Sequence, residues 1–326
     1  MIDLNNKNIF LAGSTGLAGT SIIQYITKNY PDAQILAVYH NTKPFIEHKN
    51  VEYISGDLRS LDQCRTIARN CGLAVMTAAN TGGSFQLINK PWKQVNDNIF
   101  MNSQMLEAFY LEKIKRVIYV GSATLYQEFE NSITESEIDY NCDPPPTYMG
   151  IGWVNRYLEK LCTFWHNQSD MEILIARTAN IFGPYAKFDS HSSNFIPAII
   201  RKAIDKMEPF EVWGSPDVVR DVIYAEDFAV AIVSLLIHNE IKFDVFNVGS
   251  GIATRVGDVV DWTLNASGHK PKSLIYNSNK PTTAKSRILD CSKIQKTTKW
   301  KPKHHIKQSI EKTVEWWREN KNWWKK

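Results

Sequence analysis

The chain has 326 residues, 43% of them hydrophobic and 22% charged, with a formal net charge of +4. That is enough for a full α/β enzyme with a sizeable core, too little positive charge to imply a nucleic-acid partner, and no apolar run reaches the length of a membrane span. Five dispersed cysteines (Cys64, Cys71, Cys142, Cys162 and Cys291) lack CxxC or Cys/His metal spacing, and the opening MIDLNNKNIF lacks a signal-peptide pattern, so reduced thiols and a cytoplasmic location are expected.

In chain order, Ile9–Ala12 reads as a short buried strand and Ser21–Ile26 as part of a helix. Between them Gly13, Gly16 and Gly19 fall at every third residue. Strand, glycine turn and helix in that order form the phosphate-binding opening of a Rossmann unit. Gly13 allows the tight turn, Gly16 lets backbone N–H groups approach a pyrophosphate, and Gly19 lets the helix pack closely. The candidate cofactor loop is therefore Gly13, Ser14, Thr15, Gly16, Leu17, Ala18 and Gly19; the alternative is a plain glycine turn.

Further strands are expected at Gln34–His40, Val51–Leu58, Leu73–Asn80, Arg116–Tyr126 and Met171–Pro184. Helices are expected around Asn98–Tyr110 and Ile151–His166, and a loop at Thr81-Gly82-Gly83. Beyond them come helices at Phe195–Lys206, Ala225–Ile237 and Ile310–Glu319, a short strand at Phe210–Gly214, and a solvated end, NKNWWKK. The pattern predicts an α/β fold: a doubly wound parallel Rossmann sheet with a smaller C-terminal α/β substrate-binding region. The expected division is an NAD(P)-binding domain at 1–180 and a nucleotide-sugar-binding region at 181–326, with some strands returning to the Rossmann sheet.

The end of the second strand bears on the cofactor. NAD-binding chains place an acid there for the ribose hydroxyls. Here the residues are Tyr39-His40-Asn41-Thr42-Lys43. His40 and Lys43 suit a 2′-phosphate, which favours NADP over NAD; the alternative is an exposed loop beside bound NAD. Asp57 either reaches the adenine amino group or caps the next helix. Ala78, Ala79 and Asn80 end the fourth strand with small side chains, against which a dinucleotide can lie.

The glycine loop, Gly56-Asp57-Leu58, Asn98, Gly121–Tyr126, Arg177–Pro184, Val219–Tyr224 with Asp227, Phe246–Gly251, Lys280-Pro281, Arg287–Asp290 and Trp300-Lys301-Pro302 span nearly the whole chain. On these residues it resembles the extended short-chain dehydrogenases/reductases of the NAD-dependent epimerase/dehydratase family that act on nucleotide sugars. Gly121-Ser122, Phe195–Ala198, Val212-Trp213-Gly214 and Lys280-Pro281 are most similar to the branch that acts on GDP-sugars.

The resemblance implies that a hydroxyl after the fifth strand bonds the reacting sugar oxygen, while a YxxxK pair moves the proton and holds the nicotinamide ribose. Ser122 matches the hydroxyl and Thr124 a second catalytic group; turn-capping is the rival role of each. Leu58 and Asn98 match cofactor contacts. Arg220 and Arg287 match arginines that grip a diphosphate, with surface ion pairing as the alternative. Asn180 and Asn194 match substrate positions, Trp213 a position at the nucleotide's end or in the core, and Lys280 a phosphate contact. A homodimer through helices near Ile99–Tyr110 and Ile151–His166 is implied too.

The YxxxK motif departs from the family. Counted from Tyr148, the lysine position is Gly152; counted back from Glu159, the pair is Ile151 and Asn155, the register favoured here. Neither register has a lysine. Asn155 can donate to a ribose hydroxyl but carries no charge. Tyr148, three residues before Ile151 on the same helix face, either brings a phenol to the site, better suited as acid than base at neutral pH, or packs under the Pro-rich loop. Asn194 stands where the branch has a histidine, and His191 is either its substitute or a loop residue. Ala123-Thr124 replaces the Asp-Glu pair of 4,6-dehydratases, which disfavours dehydration. Two functions are compatible with these residues: an epimerase/reductase acting at C4 or C3/C5 of a GDP-linked sugar, and a catalytically degenerate partner or regulatory protein that binds the dinucleotide and sugar nucleotide.

Overall fold

The computed structural model describes residues 1–82, 90–280 and 286–322. Short apolar runs form a seven-stranded parallel sheet: β1 (Asn8–Ala12), β2 (Gln34–Tyr39), β3 (Val51–Ser55), β4 (Leu73–Met76), β5 (Arg116–Ser122), β6 (Glu172–Thr178) and β7 (Phe243–Val248). Their spatial order is β7-β6-β5-β4-β1-β2-β3. Successive crossovers reverse direction between β1 and β4, so the loops at the strands' carboxyl ends diverge there and leave a crevice. Ala12 pairs with Val38 on one side and Met76 on the other. The glycine loop, the end of β2 and the chain after β4 therefore leave the sheet together.

Nine helices are described: α1 (Leu17–Asn29), α2 (Leu61–Ala68), α3 (Pro91–Leu111), α4 (Met149–Gln168), α5 (Phe195–Ile204), α6 (Ala225–Ile237), α7 (Val256–Ser267), α8 (Ser292–Thr298) and α9 (Ile306–Asn320). Ile22 and Ile26 of α1, Phe228 and Ile232 of α6 and Ile294 of α8 cover one sheet face. Cys64 of α2, Leu106 and Phe109 of α3, and Val154 and Leu158 of α4 cover the other. Parallel strands covered on both faces read as continuous apolar runs, which is why they stand out in the sequence. Helices α5, α7 and α9 gather around separate apolar clusters. There Phe210–Trp213 pairs with Leu274–Asn277, and Val219–Arg220 with Thr254–Arg255.

Three expectations change. The third and fourth strands end early, at Ser55 and Met76, and Gly56–Leu58 and Thr77–Asn80 leave the ladder. The sixth breaks after Thr178: the Ala179 N–H turns to Val248, and Asn180–Phe182 pairs with Val222–Tyr224 instead of with the sheet. Helices α2, α7 and α8 were not read from the sequence, whereas β7 is a C-terminal strand that joins the sheet. Gly83, Pro281 and the final WWKK fall outside the described residues. No described helix is long and apolar enough to cross a membrane.

Helix α4 is fixed to the sheet by a buried ion pair. Glu159 receives two bonds from Arg177 of β6, at 2.7 and 2.9 Å. Arg177 also donates to the Tyr126 hydroxyl, which donates in turn to Asn247 of β7. This network sets the register in which residues 148–155 meet the end of β5.

Candidate active site

The glycine loop is shaped by backbone. Gly13 has φ +73°, and a Cβ there would lie 2.7 Å from the Ala78 backbone. At Gly19 it would fall on the Gly13 carbonyl oxygen. The Ser14 hydroxyl and N–H both bond the Val38 carbonyl, at 2.9 and 3.0 Å. Gly16 gives α1 no side-chain cap, which leaves the helix's first N–H groups to face an anion.

These constraints frame a cavity of about 380 Å³. Of the predicted cofactor residues, Gly13, Thr15, Gly16, His40, Asp57, Leu58, Ala78, Ala79 and Asn80 line it. Ser14, Leu17, Ala18 and Gly19 are not in its wall, and Lys43 is exposed outside it. Asn98 is not in the wall either. It is buried, its Oδ1 accepts from the Asn80 N–H at 2.8 Å, and its Nδ2 donates to the Asn80 carbonyl at 3.0 Å, so it holds Asn80 in place. A glycine loop opening a helix N-terminus, with the end of β2 on one side and small residues 78–79 on the other, is the lining a dinucleotide's pyrophosphate and ribose require.

Arg59, Asp97, Met101 and Lys187 also line this cavity and were not singled out in the sequence. Arg59 bonds Asp57 at 2.7 Å and holds its carboxyl well below the usual range, at about 2; it also reaches Asp97 at 3.4 Å. Asp57 does not cap α2: Ser60 does, accepting from the Gln63 N–H. Arg59 was legible beside Gly56-Asp57-Leu58. Lys187 lies in a loop without periodicity and gave no local signal.

At the end of β5 the Ser122 hydroxyl accepts from the Thr124 N–H at 3.2 Å and starts a 3₁₀ turn over Ala123–Leu125. Ser122, Thr124, Asn180, Asp221 and Arg287 line a narrow crevice of about 20 Å³. The Arg287 guanidinium lies 4.7 Å from the Tyr148 ring centroid. Arg220 is buried beside them; burial lowers its pKa to about 10, with Arg287 adding to the effect and Tyr148 opposing it. Tyr148 thus meets the arginine pair. Buried Asp221 accepts from Ser250, Gly251 and Leu289 N–H groups, tying together three segments around the crevice, and burial pushes its carboxyl pKa up.

The other predicted substrate residues stand outside the crevice. Lys280 lies over the Trp213 ring, 5.5 Å from its centroid. Asn194 is the exposed residue before α5, with no side-chain cap bond. His191 is exposed on a turn where Asp189 accepts from its N–H.

On α4, a Cβ at Gly152 would lie 2.6 Å from Pro144 and 2.8 Å from the Thr124 carbonyl, so the register counted from Tyr148 has no room for a lysine. Ile151 packs on the apolar cluster beneath α3 and α4. Asn155 is buried. Its Oδ1 accepts from the Tyr119 hydroxyl at 3.3 Å, and its Nδ2 donates to the Ile151 carbonyl at 2.8 Å and to Thr124 Oγ1 at 3.4 Å. It is absent from the cavity wall.

The model of the NAD dependent epimerase/dehydratase family matches residues 9–249. GDP-L-fucose synthase of Sinorhizobium fredii (strain NBRC 101917 / NGR234) is 23% identical over 316 residues, covering 96% of each chain. UDP-glucose 4-epimerase of Thermotoga maritima, solved with UDP-glucose, superposes with a TM-score of 0.84 at 18% identity, over 96% of this chain and 99% of that one. UDP-glucose 4-epimerase of Bifidobacterium longum, solved with NAD+ and UDP, gives 0.84 at 22% identity, over 97% and 99%. At such identities the solved structures speak for the fold. With the family match, the glycine loop and the sheet order in agreement, the chain belongs to the NAD dependent epimerase/dehydratase family, within the extended short-chain dehydrogenases/reductases.

Proposed function

We propose that the chain is an NAD(P)-dependent nucleotide-sugar epimerase/reductase acting on a GDP-linked hexose or deoxyhexose in surface-polysaccharide sugar biosynthesis. One observation carries the reading: the glycine-loop cavity and the Ser122–Arg287 crevice both lie where strands of one parallel sheet end. Bound nicotinamide supplies or accepts a hydride. Ser122 bonds the reacting sugar oxygen, Thr124 supports it, and Tyr148 donates the proton. Arg220 and Arg287 grip the diphosphate, Asn180 meets the sugar, and Trp213 with Lys280 receives the nucleotide's base end. The similarity to a GDP-L-fucose synthase supports the GDP link. His40 in the cavity wall, with no acid at the end of β2, supports NADP over NAD. Exposed Asn194 and His191 offer no acid in the crevice, which favours C4 over C3/C5. On this reading the cofactor side is residues 1–180 plus the returning strand β7, and the sugar nucleotide sits among residues 181–326. Phe100 on α3 and Tyr157 and Phe164 on α4 are each at least half exposed, which suits a homodimer through these helices. A cytoplasmic location goes with this chemistry.

The occupied amide of Asn155 and the packing of Ile151 favour a second reading, a binding partner that has lost turnover. Purified protein is tested for co-purified NAD(P), and nicotinamide absorbance is followed with GDP-, UDP-, CDP- and dTDP-sugars. Turnover, highest with a GDP-sugar, is expected. Tight binding of both ligands without turnover supports the second reading.

A further inference from the structure

The wall of the cofactor cavity contains a cation contributed from beyond the Rossmann half of the chain. Lys187 lies in the loop that follows Asn180–Phe182, and its side chain lines the cavity together with Gly13, Thr15, Gly16 and Ala78–Asn80. That loop crosses from one lip to the other. Tyr185 stacks on Phe45, at 6.2 Å between ring centroids, and receives a bond from Gln24 of α1. Lys187 Nζ donates to the Thr81 carbonyl at 2.8 Å on the far side. An ammonium has three donors, and this is the one hydrogen bond that Nζ makes among the described residues. The cavity's other strong cation, Arg59, is engaged by Asp57 and Asp97.

We infer that Lys187 is a cofactor-binding residue: its ammonium reaches over the glycine loop to the dinucleotide's pyrophosphate, supplying a positive charge from the C-terminal half. This rests on the dinucleotide reading above and adds the residue that closes the site. Burial lowers the Lys187 pKa, so the ammonium is fully charged only at pH values below that lowered pKa. Its contribution to affinity is complete there and is lost as pH rises through it, earlier than for an ordinary lysine.

Binding of NADPH, ADP and adenosine is measured by calorimetry on the full chain and on Lys187→Met, Lys187→Gln and Lys187→Arg. The expected result is at least tenfold weaker NADPH and ADP binding in Met and Gln, adenosine within twofold of the unsubstituted chain, near-normal binding in Arg, and an alkaline loss of affinity that Arg lacks. If Met fails to fold, the comparison of Gln with Arg carries the test, because Gln can keep the Thr81 bond without the charge. Unchanged NADPH and ADP binding in Met or Gln overturns the role of Lys187 alone, as does an equal loss for adenosine. A wild-type chain that binds no dinucleotide overturns both this role and the reading on which it rests.

Discussion

The glycine-loop cavity and the Ser122–Arg287 crevice, the proposed cofactor and sugar sites, are built from different materials. The cavity is shaped by backbone: a left-handed glycine, a glycine with no space for a Cβ, and the Val38 carbonyl to which Ser14 is twice bonded. The crevice is assembled from segments far apart in sequence, namely the end of β5 and residues 178–180, 221 and 287–289, and Tyr148 at the start of α4 contacts its Arg287. A backbone cradle tolerates few residue types and keeps its motif. A side-chain crevice can change its chemistry by single substitutions.

Disturbing the support of the crevice gives the largest expected effect. Glu159→Ala leaves Arg177 buried without its carboxylate, although both are nearly inaccessible to solvent; thermal or urea unfolding should show a loss of about 3–5 kcal/mol. A loss under 1 kcal/mol would mean that α4 is held by apolar packing instead. Gly19→Ala attacks the cavity. With Gly13 O and Ser14 Cα in the way of its Cβ, it should cost about 1–3 kcal/mol and weaken dinucleotide binding more than tenfold. Normal NADPH affinity in this variant would contradict the cradle.

At Arg287 of the crevice, Tyr148→Phe and Tyr148→Leu separate two roles. Phe keeps a ring beneath Arg287 and should lower kcat by about a hundredfold with little change in KM, the size of a general-acid contribution. Leu also removes the cation–π contact and should raise KM a further few-fold, about 0.5–1 kcal/mol. An unchanged kcat in Phe assigns Tyr148 to holding the arginines alone.

The smallest expected effect is in acid. A depressed native pKa contributes stability that is present above the unfolded aspartate value, near ~4, and is lost as pH falls. Asp57 should therefore titrate near pH 2 by carboxyl NMR and keep its bond to Arg59 at pH 3. In Arg59→Ala it should return towards its ordinary value. A midpoint near that ordinary value in the unsubstituted chain would show that the clamp does not form.

The difference between the regions also explains what could be read in advance. Gly13, Gly16 and Gly19 announced the cavity because their steric demands fall within seven consecutive residues, and β1, β2 and β5 announced themselves because both faces are buried. Asn98 was found by resemblance, but its bidentate hold on Asn80 is a contact across 18 residues that no local pattern encodes. Lys187 is farther still from the loops it faces. The break at Ala179 was hidden because Met171–Phe182 is continuously apolar-rich, and only the pairing of Asn180–Phe182 with Val222–Tyr224 divides it. The altered residues of α4 were visible as letters. That Gly152 is closed off by Pro144 and Thr124 is visible only in three dimensions.

The central claim is that the chain still exchanges hydride between its cofactor and a sugar nucleotide without the family's tyrosine–lysine pair. It is tested most directly by incubating the protein with reduced nicotinamide dinucleotide labelled at C4 and a panel of GDP-linked 4-keto sugars, then measuring label in the sugar. The account predicts transfer to at least one GDP-sugar, reduced at least a hundredfold in Ser122→Ala. Tight binding of both ligands with no label transferred would contradict it.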